Sequence, residues 1–230
     1  MFSSEYMHML VERVLTGRTR RKIIRNNEKL AHLTAADPTA APEPPRDQSF
    51  TRPKVLLLLP LRSLALHYLT SHLFPLAPHG TQIENMRPFM SSFSIPKNTE
   101  DPLASTSATT EYPLDHLVNF RGNSDDNFRI GIKITRKAWR VVMMPANEDK
   151  LMECDIIIAS PLGIKMQSER EESTDLLSSI EVVVVDGIDV MQMQNWDHVQ
   201  VSSLVHTFSP MLMTVHILPP QQNAQITSWM

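Results

Sequence analysis

Cys154-Asp155-Ile156-Ile157-Ile158-Ala159-Ser160-Pro161-Leu162-Gly163 sets a short apolar run behind an acidic residue and ends it in a Ser-Pro-x-Gly turn. A run without a polar face suits a strand buried on both sides, as in a parallel sheet covered by helices. Glu181-Val182-Val183-Val184-Val185-Asp186 has the same form, and residues 55–59 make a third such run, closed by Pro60. Phe128, Ile130, Ile132 and Ile134 alternate with polar or small residues, which predicts another strand. Residues 141–144 and 211–218 are read as further short strands. Between them, residues 62–73 place Leu66, Leu69 and Leu73 at helical spacing. Strands separated by helices predict an α/β fold, a parallel sheet flanked by helices.

Working outward, the chain of 230 residues holds one substantial domain and a small appendage. Its 17 prolines against 6 glycines fall largely in polar stretches, so the folded part is shorter than the chain. Met7, Leu10, Val11 and Val14 recur at helical spacing, and Gly17 marks a stop. Arg18, Arg20, Arg21, Lys22, Arg25 and Lys29 follow as a basic end. That run reads as a solvated helix terminus, with a nuclear-import patch or a phosphate contact as sharper alternatives. The expected division is a helical segment over 1–33, a Pro/Ala-rich linker over 34–51 and the layered domain over 52–230. Residues 75–113 lack periodicity and are read as a disordered insertion.

A net charge of −3 and a pI near 6.3 give no overall attraction to nucleic acid, so any RNA contact has to be local. The single cysteine, Cys154, excludes an internal disulfide framework and reads as a small buried residue. The nine histidines show neither H-E-x-x-H spacing nor clustering with cysteine, so no metal site is expected. No G-x-S-x-G elbow occurs. The longest apolar run, residues 55–61, contains Pro60 and falls far short of the ~20 residues that span a bilayer. Glu5 and Glu12 lie near the start with no apolar export region, so a soluble intracellular protein is expected.

Ligands of open α/β sheets sit beyond the carboxyl ends of the strands. Four such ends carry Pro60-Leu61-Arg62-Ser63-Leu64-Ala65, Ser160-Pro161-Leu162-Gly163, Asp186-Gly187-Ile188-Asp189 and Leu218-Pro219-Pro220. In this order they resemble motifs Ia, Ib, II and III of the first RecA-like lobe of a DEAD-box RNA helicase, usually P-T-R-E-L-A, T-P-G-R, D-E-A-D and S-A-T. Longer blocks sharpen the resemblance: Arg52-Pro53-Lys54-Val55, Asp125-Asp126-Asn127-Phe128-Arg129-Ile130-Gly131-Ile132-Lys133, the stretch from Cys154 to Gly163, Leu177-Ser178-Ser179-Ile180-Glu181 and Met193-Gln194-Asn195-Trp196-Asp197-His198-Val199. Together these are similar to the digestive-organ expansion factor family, also called the U3 small nucleolar RNA-associated protein 25 family. The resemblance runs from about Asp47 to the C-terminus and leaves both proline-rich stretches unmatched. It implies a degenerate, helicase-like RecA lobe in a nucleolar protein of the small-subunit processome, which matures 18S ribosomal RNA and contains the U3 small nucleolar ribonucleoprotein. The chain stops near motif III, so a single, incomplete lobe is expected.

Hydrolysis of ATP on such a lobe needs a phosphate loop, G-x-x-x-x-G-K-[ST], to cradle the phosphates and hold magnesium. None of the glycines at 17, 80, 122, 131, 163 and 187 begins that pattern. In motif II, Asp186 and Asp189 match, but Gly187 stands where the catalytic glutamate would activate water. Pro219 and Pro220 replace the hydroxyls of motif III. No catalytic residue, cofactor or metal is therefore assigned, and the chain is expected not to be an enzyme.

For RNA the resemblance implies backbone contacts from Arg62 in motif Ia and from Ser160, Gly163 and Lys165 around motif Ib. A plain polar turn is an equal reading of these residues. Trp196, beside Met191 and Met193, is a core residue or a partner anchor. The function expected is a non-catalytic scaffold in small ribosomal subunit biogenesis, with processome proteins, the U3 particle and pre-18S RNA as partners. The alternatives are an active RNA helicase whose phosphate loop lies outside this chain, and a generic α/β binding domain.

Overall fold

The computed structural model describes residues 7–15, 52–97, 99–105, 111–135, 137–143, 148–171, 175–177, 179–194 and 198. The basic run over 18–29, the linker over 34–51, Trp196, residues 211–218 and Leu218-Pro219-Pro220 lie outside them. A helix over 7–15 (α1) precedes β1 (Val55–Leu58) and α2 (Arg62–Tyr68), which continues through a π turn at Leu69–Leu73 and a 3-10 turn at Phe74–Leu76. Next come β2 (Gln82–Glu84), α3 (Met86–Phe93), a 3-10 turn at Pro102–Ala104 and α4 (Leu114–Phe120). The remainder is β3 (Arg129–Ile134), β4 (Ala138–Met143), α5 (Glu148–Met152), β5 (Ile156–Ala159), α6 (Pro161–Glu171), a 3-10 turn at Asp175–Leu177, β6 (Val182–Val185) and α7 (Ile188–Met193).

The strands form one six-stranded sheet in the order β2-β4-β3-β5-β1-β6. The three continuous apolar runs lie side by side and parallel, with Val55 opposite both Ile156 and Val182. β2 runs parallel to β4. The expectation of a parallel sheet is corrected at β3, which is antiparallel to both β4 and β5. The join from Ile134 to Ala138 is too short for a parallel crossover, so the pair closes as a hairpin.

Residues in the apolar runs serve two cores in alternation. Val55, Leu57, Ile156, Ile158, Val182 and Val184 face one cluster, which takes in Met7, Leu10, Val11 and Val14 of α1 and Ala65 and Leu69 from the α2 stretch. Leu56, Ile157, Val183 and Val185 face the other, with Leu151, Cys154, Ile164 and Met191. β1 and β5 are neighbours, yet α2 packs on the first face while α6 packs on the second. The helices that follow these two neighbouring strands thus cover opposite faces of the sheet, a switch beside which ligands of open α/β sheets bind.

The segment over 75–113, expected to be disordered, instead contributes β2 and α3 to the domain. Met86, Phe89, Met90 and Phe93 do have helical spacing, which the surrounding prolines and serines obscured. Phe89 and Phe93 are 0% and 2% exposed, and a chain of ring contacts runs from Phe74 through both to Phe128. Asn85, in a left-handed conformation at φ 65°, starts α3, and its amide donates to the Val141 carbonyl at 2.8 Å.

Two charge clusters bind the amino-terminal ends of the parallel strands. Asp155, 0% exposed, accepts two bonds from Arg52, Nε to Oδ1 at 2.9 Å and Nη2 to Oδ2 at 2.8 Å. Its Oδ2 also accepts the Ile134 N–H at 2.8 Å. Lys54 Nζ lies 2.9 Å from Glu181 Oε1, and Arg13 of α1 lies 2.8 Å from Glu181 Oε2. The cations of the Arg52-Pro53-Lys54 stretch thus tie β1 to β5 on one side and to β6 on the other. Burial alone would push the Glu181 carboxyl up, but the bonds and charges of Lys54 and Arg13 outweigh it and hold it below the ordinary carboxylate value.

Arg52→Ala strips the cation from a fully buried carboxylate and is expected to cost about 3 kcal/mol. Urea unfolding will show this as a lower midpoint at unchanged slope. The depressed Glu181 carboxyl contributes stability that is present above its unfolded value and lost as pH falls through its folded value. Stability measured from pH 7 down through 4.5 is therefore expected to fall less steeply in Glu181→Gln than in the parent.

Candidate functional site

At the carboxyl ends of the parallel strands, each helix start is closed by the protein's own groups. A free helix N-terminus offers N–H donors to an anion. At α2, the Arg62 N–H donates to the Asp125 carbonyl at 3.1 Å and the Ser63 N–H to the Asn123 carbonyl at 3.0 Å. The Arg62 guanidinium is equally engaged. Nη2 lies 3.0 Å from Asp125 Oδ2 and donates to the Asn127 carbonyl at 2.7 Å, Nη1 donates to the Ser92 carbonyl at 3.2 Å, and the group sits 5.3 Å from the Phe93 ring centroid. Arg62 clamps α2, α3 and the loop before β3 together.

Ser160 caps α6. Its hydroxyl accepts the Gly163 N–H at 2.9 Å and lies 3.5 Å from the Phe128 N–H, with the residue fully buried. A Cβ on Gly163 would stand 2.3 Å from the Phe128 carbonyl oxygen, so only glycine lets α6 approach the start of β3 this closely. Lys165 points elsewhere on α6, 3.8 Å from Glu169 Oε1 at i,i+4 spacing. Of the four residues expected to meet RNA, Ser160 and Gly163 are joined in one buried cap. Arg62 stands in a crevice, and Lys165 is outside the residues that line it.

The motif II stretch is built the same way. The Asp186 N–H donates to the Leu58 carbonyl at 3.1 Å, and its Oδ1 accepts the neighbouring Gly187 N–H at 2.8 Å. Gly187 is left-handed at φ 72° and ψ 36° and starts α7. A Cβ there would stand 2.9 Å from Cγ and 3.0 Å from Cδ of Pro60. Asp189 lies in the first turn of α7, where a carboxylate complements the helix dipole, and its Oδ2 meets Asn119 Nδ2 at 3.5 Å. Position 187 is therefore a left-handed glycine turn packed against a proline ring, where a side chain would be strained.

The crevice holds about 310 Å³ and is lined by Arg62, Phe93, Phe128, Arg129, Met166 and Arg170, among others. Arg170 lies in none of the quoted blocks and Arg129 stands far from it along the chain, so only the fold brings them together. The Cys154 thiol donates to the Lys150 carbonyl at 3.2 Å, and burial pushes its pKa up to about 12, which suits an inert core residue. Among the described residues no group of three or more His, Cys, Asp or Glu side chains is placed to hold a metal ion. No described helix is long and apolar enough to cross a membrane.

A mostly parallel sheet with helices on both faces, and helices that start directly beyond the carboxyl ends of its parallel strands, define an NTP-hydrolase-like lobe. Residues 3–210 match the family described as "UTP25, NTP hydrolase-like domain", and the chain belongs to it. It is 38% identical over 189 residues to the U3 small nucleolar RNA-associated protein 25 of Arthroderma benhamiae, covering 80% of this chain and 23% of that protein. The protein of the same name from Clavispora lusitaniae is 38% identical over 192 residues, covering 79% of this chain and 25% of the relative. That from Schizosaccharomyces japonicus is 39% identical over 159 residues, covering 67% and 22%. The chain thus spans about a quarter of the length of these relatives. No solved structure matches it.

Gly187→Glu restores the missing carboxylate on paper. Because it also sets a Cβ against Pro60 at positive φ, it is expected to cost about 1–3 kcal/mol. It should leave ATP turnover no higher than in the parent, measured by phosphate release beside thermal denaturation.

Proposed function

We propose that this chain is a non-hydrolysing, helicase-shaped component of the nucleolar small-subunit processome, a scaffold in 18S rRNA maturation and small ribosomal subunit biogenesis. Its partners are processome proteins and the U3 small nucleolar ribonucleoprotein, with pre-18S RNA close by. The family and the name its relatives carry support the processome setting. The observation that supports a non-hydrolysing reading is Gly187, which has no carboxylate and whose left-handed backbone against Pro60 disfavours a side chain there. Within these residues no G-x-x-x-x-G-K-[ST] sequence occurs, and the helix starts at the strand tips are capped from inside the protein. A lobe built this way keeps a rigid shape for contacts while its donors are already engaged.

Two measurements test the reading. The tagged protein purified from cells is expected to bring down U3 RNA, pre-18S RNA and processome proteins; their absence would count against the scaffold role. ATP turnover in the presence of RNA is expected to be the same for the parent and Asp186→Asn, in this chain and in the product of the whole gene. Turnover that Asp186→Asn abolishes would instead establish the active helicase.

A further inference from the structure

On α4, Leu114 is 74% and Val118 61% exposed, while Leu117 between them is 8% exposed and faces the domain. Residues four apart on a helix stand one above the other, so Leu114 and Val118 form a bare apolar ridge. Arg121, seven positions after Leu114, continues the same face. The ridge is firmly held. Leu117 pins it from inside, and Asn119 Nδ2 lies 3.5 Å from Asp189 Oδ2 of α7. On its flank the rings of Tyr112, His116 and Phe120 make a column, with centroids 5.0 Å and 4.8 Å apart. That column bridges Pro113 and so fixes Glu111, just ahead of the helix, to the first end of the ridge.

Charge runs along the ridge from one sign to the other. Glu111 and Asp115 stand at its start and Arg121 at its end, all three exposed. Among the described residues their side chains make no hydrogen bond or ion pair. A wholly basic or wholly acidic occupant would suit one end and be repelled at the other. A second copy of this chain laid antiparallel suits both. Leu114 with Val118, and Glu111 with Arg121, share one midpoint at residue 116. The register that sets Leu114 against Val118 of the other copy therefore also sets Arg121 opposite its acidic end. Two-fold symmetry then repeats each contact. We propose that α4 is a self-association face, on which two copies pair antiparallel about a two-fold axis level with residue 116. A helix of about two turns buries less than a standard interface, so the dimer is weak and forms at high concentration.

Sedimentation equilibrium on the purified chain over a range of concentrations tests it. The parent is expected to be monomeric when dilute and dimeric when concentrated. Arg121→Glu, and separately Glu111→Lys combined with Asp115→Lys, should each raise the dissociation constant about tenfold or more, because like charges then meet at both ends of the ridge. An equimolar mixture of these two proteins should associate again as a mixed dimer, since each offers the other opposite charges. Leu114→Ser should weaken the dimer without any change of charge. All these positions are exposed, so thermal denaturation should show every variant folded. A parent that stays monomeric at every concentration, leaving the ridge to some other protein, would overturn the face. So would self-association indifferent to both charge reversals, or a mixture of the two that fails to pair.

Discussion

A carboxylate taken fully out of water persists only where charge and N–H donors replace its hydration, and Asp155 draws these from two separate elements. Arg52, three residues before β1 begins at Val55, supplies the paired guanidinium bonds, and the last residue of β3 supplies an N–H. This one side chain therefore fixes β5 against both of its neighbours. A slip of one residue would withdraw it from both partners and exchange Ile156 and Ile158 with Ile157 between two differently shaped cores. The apolar runs, identical in character along their length, have little else to choose their register.

The charges of the domain divide by location. At the amino-terminal ends of the strands, Arg52, Lys54, Asp155 and Glu181 hold neighbouring elements together. At the carboxyl ends, where an NTP hydrolase would present helix starts to phosphate, the donors already have acceptors: the Asn123 and Asp125 carbonyls, the Ser160 hydroxyl and the Asp186 carboxylate. At these helix starts those N–H donors are held by groups of the protein itself. What still faces outward is the arginine-rimmed crevice between the layers.

The apolar runs of β1, β5 and β6 were legible because a strand covered on both faces leaves no other reading of five or so consecutive branched residues. The α2 helix was legible from its leucine spacing, and α1 from Met7 to Val14. β3 was found as a strand but not in its direction, since alternation says nothing of polarity and only the short join to β4 sets it. α3 was missed because Pro88 and the serines around Phe89 and Phe93 resemble linker composition, although the spacing of the aromatic residues is helical. At the candidate site, the chain order of the motifs revealed where to look. It could not reveal that Ser160 is a buried cap, that Arg62 is spent on Asp125, or that Arg129 and Arg170 share a crevice. Those facts depend on distances across the fold that no local pattern encodes.

The contact between Gly187 and Pro60 also couples the two positions. The proline closes the neighbouring strand, and its ring occupies the volume that any side chain at Gly187 would enter. A side chain there meets both the left-handed backbone and the proline ring, so a change at Gly187 is eased by a smaller residue in place of Pro60. The two positions therefore limit each other, and whichever residue closes β1 sets how large its neighbour at the start of α7 can be.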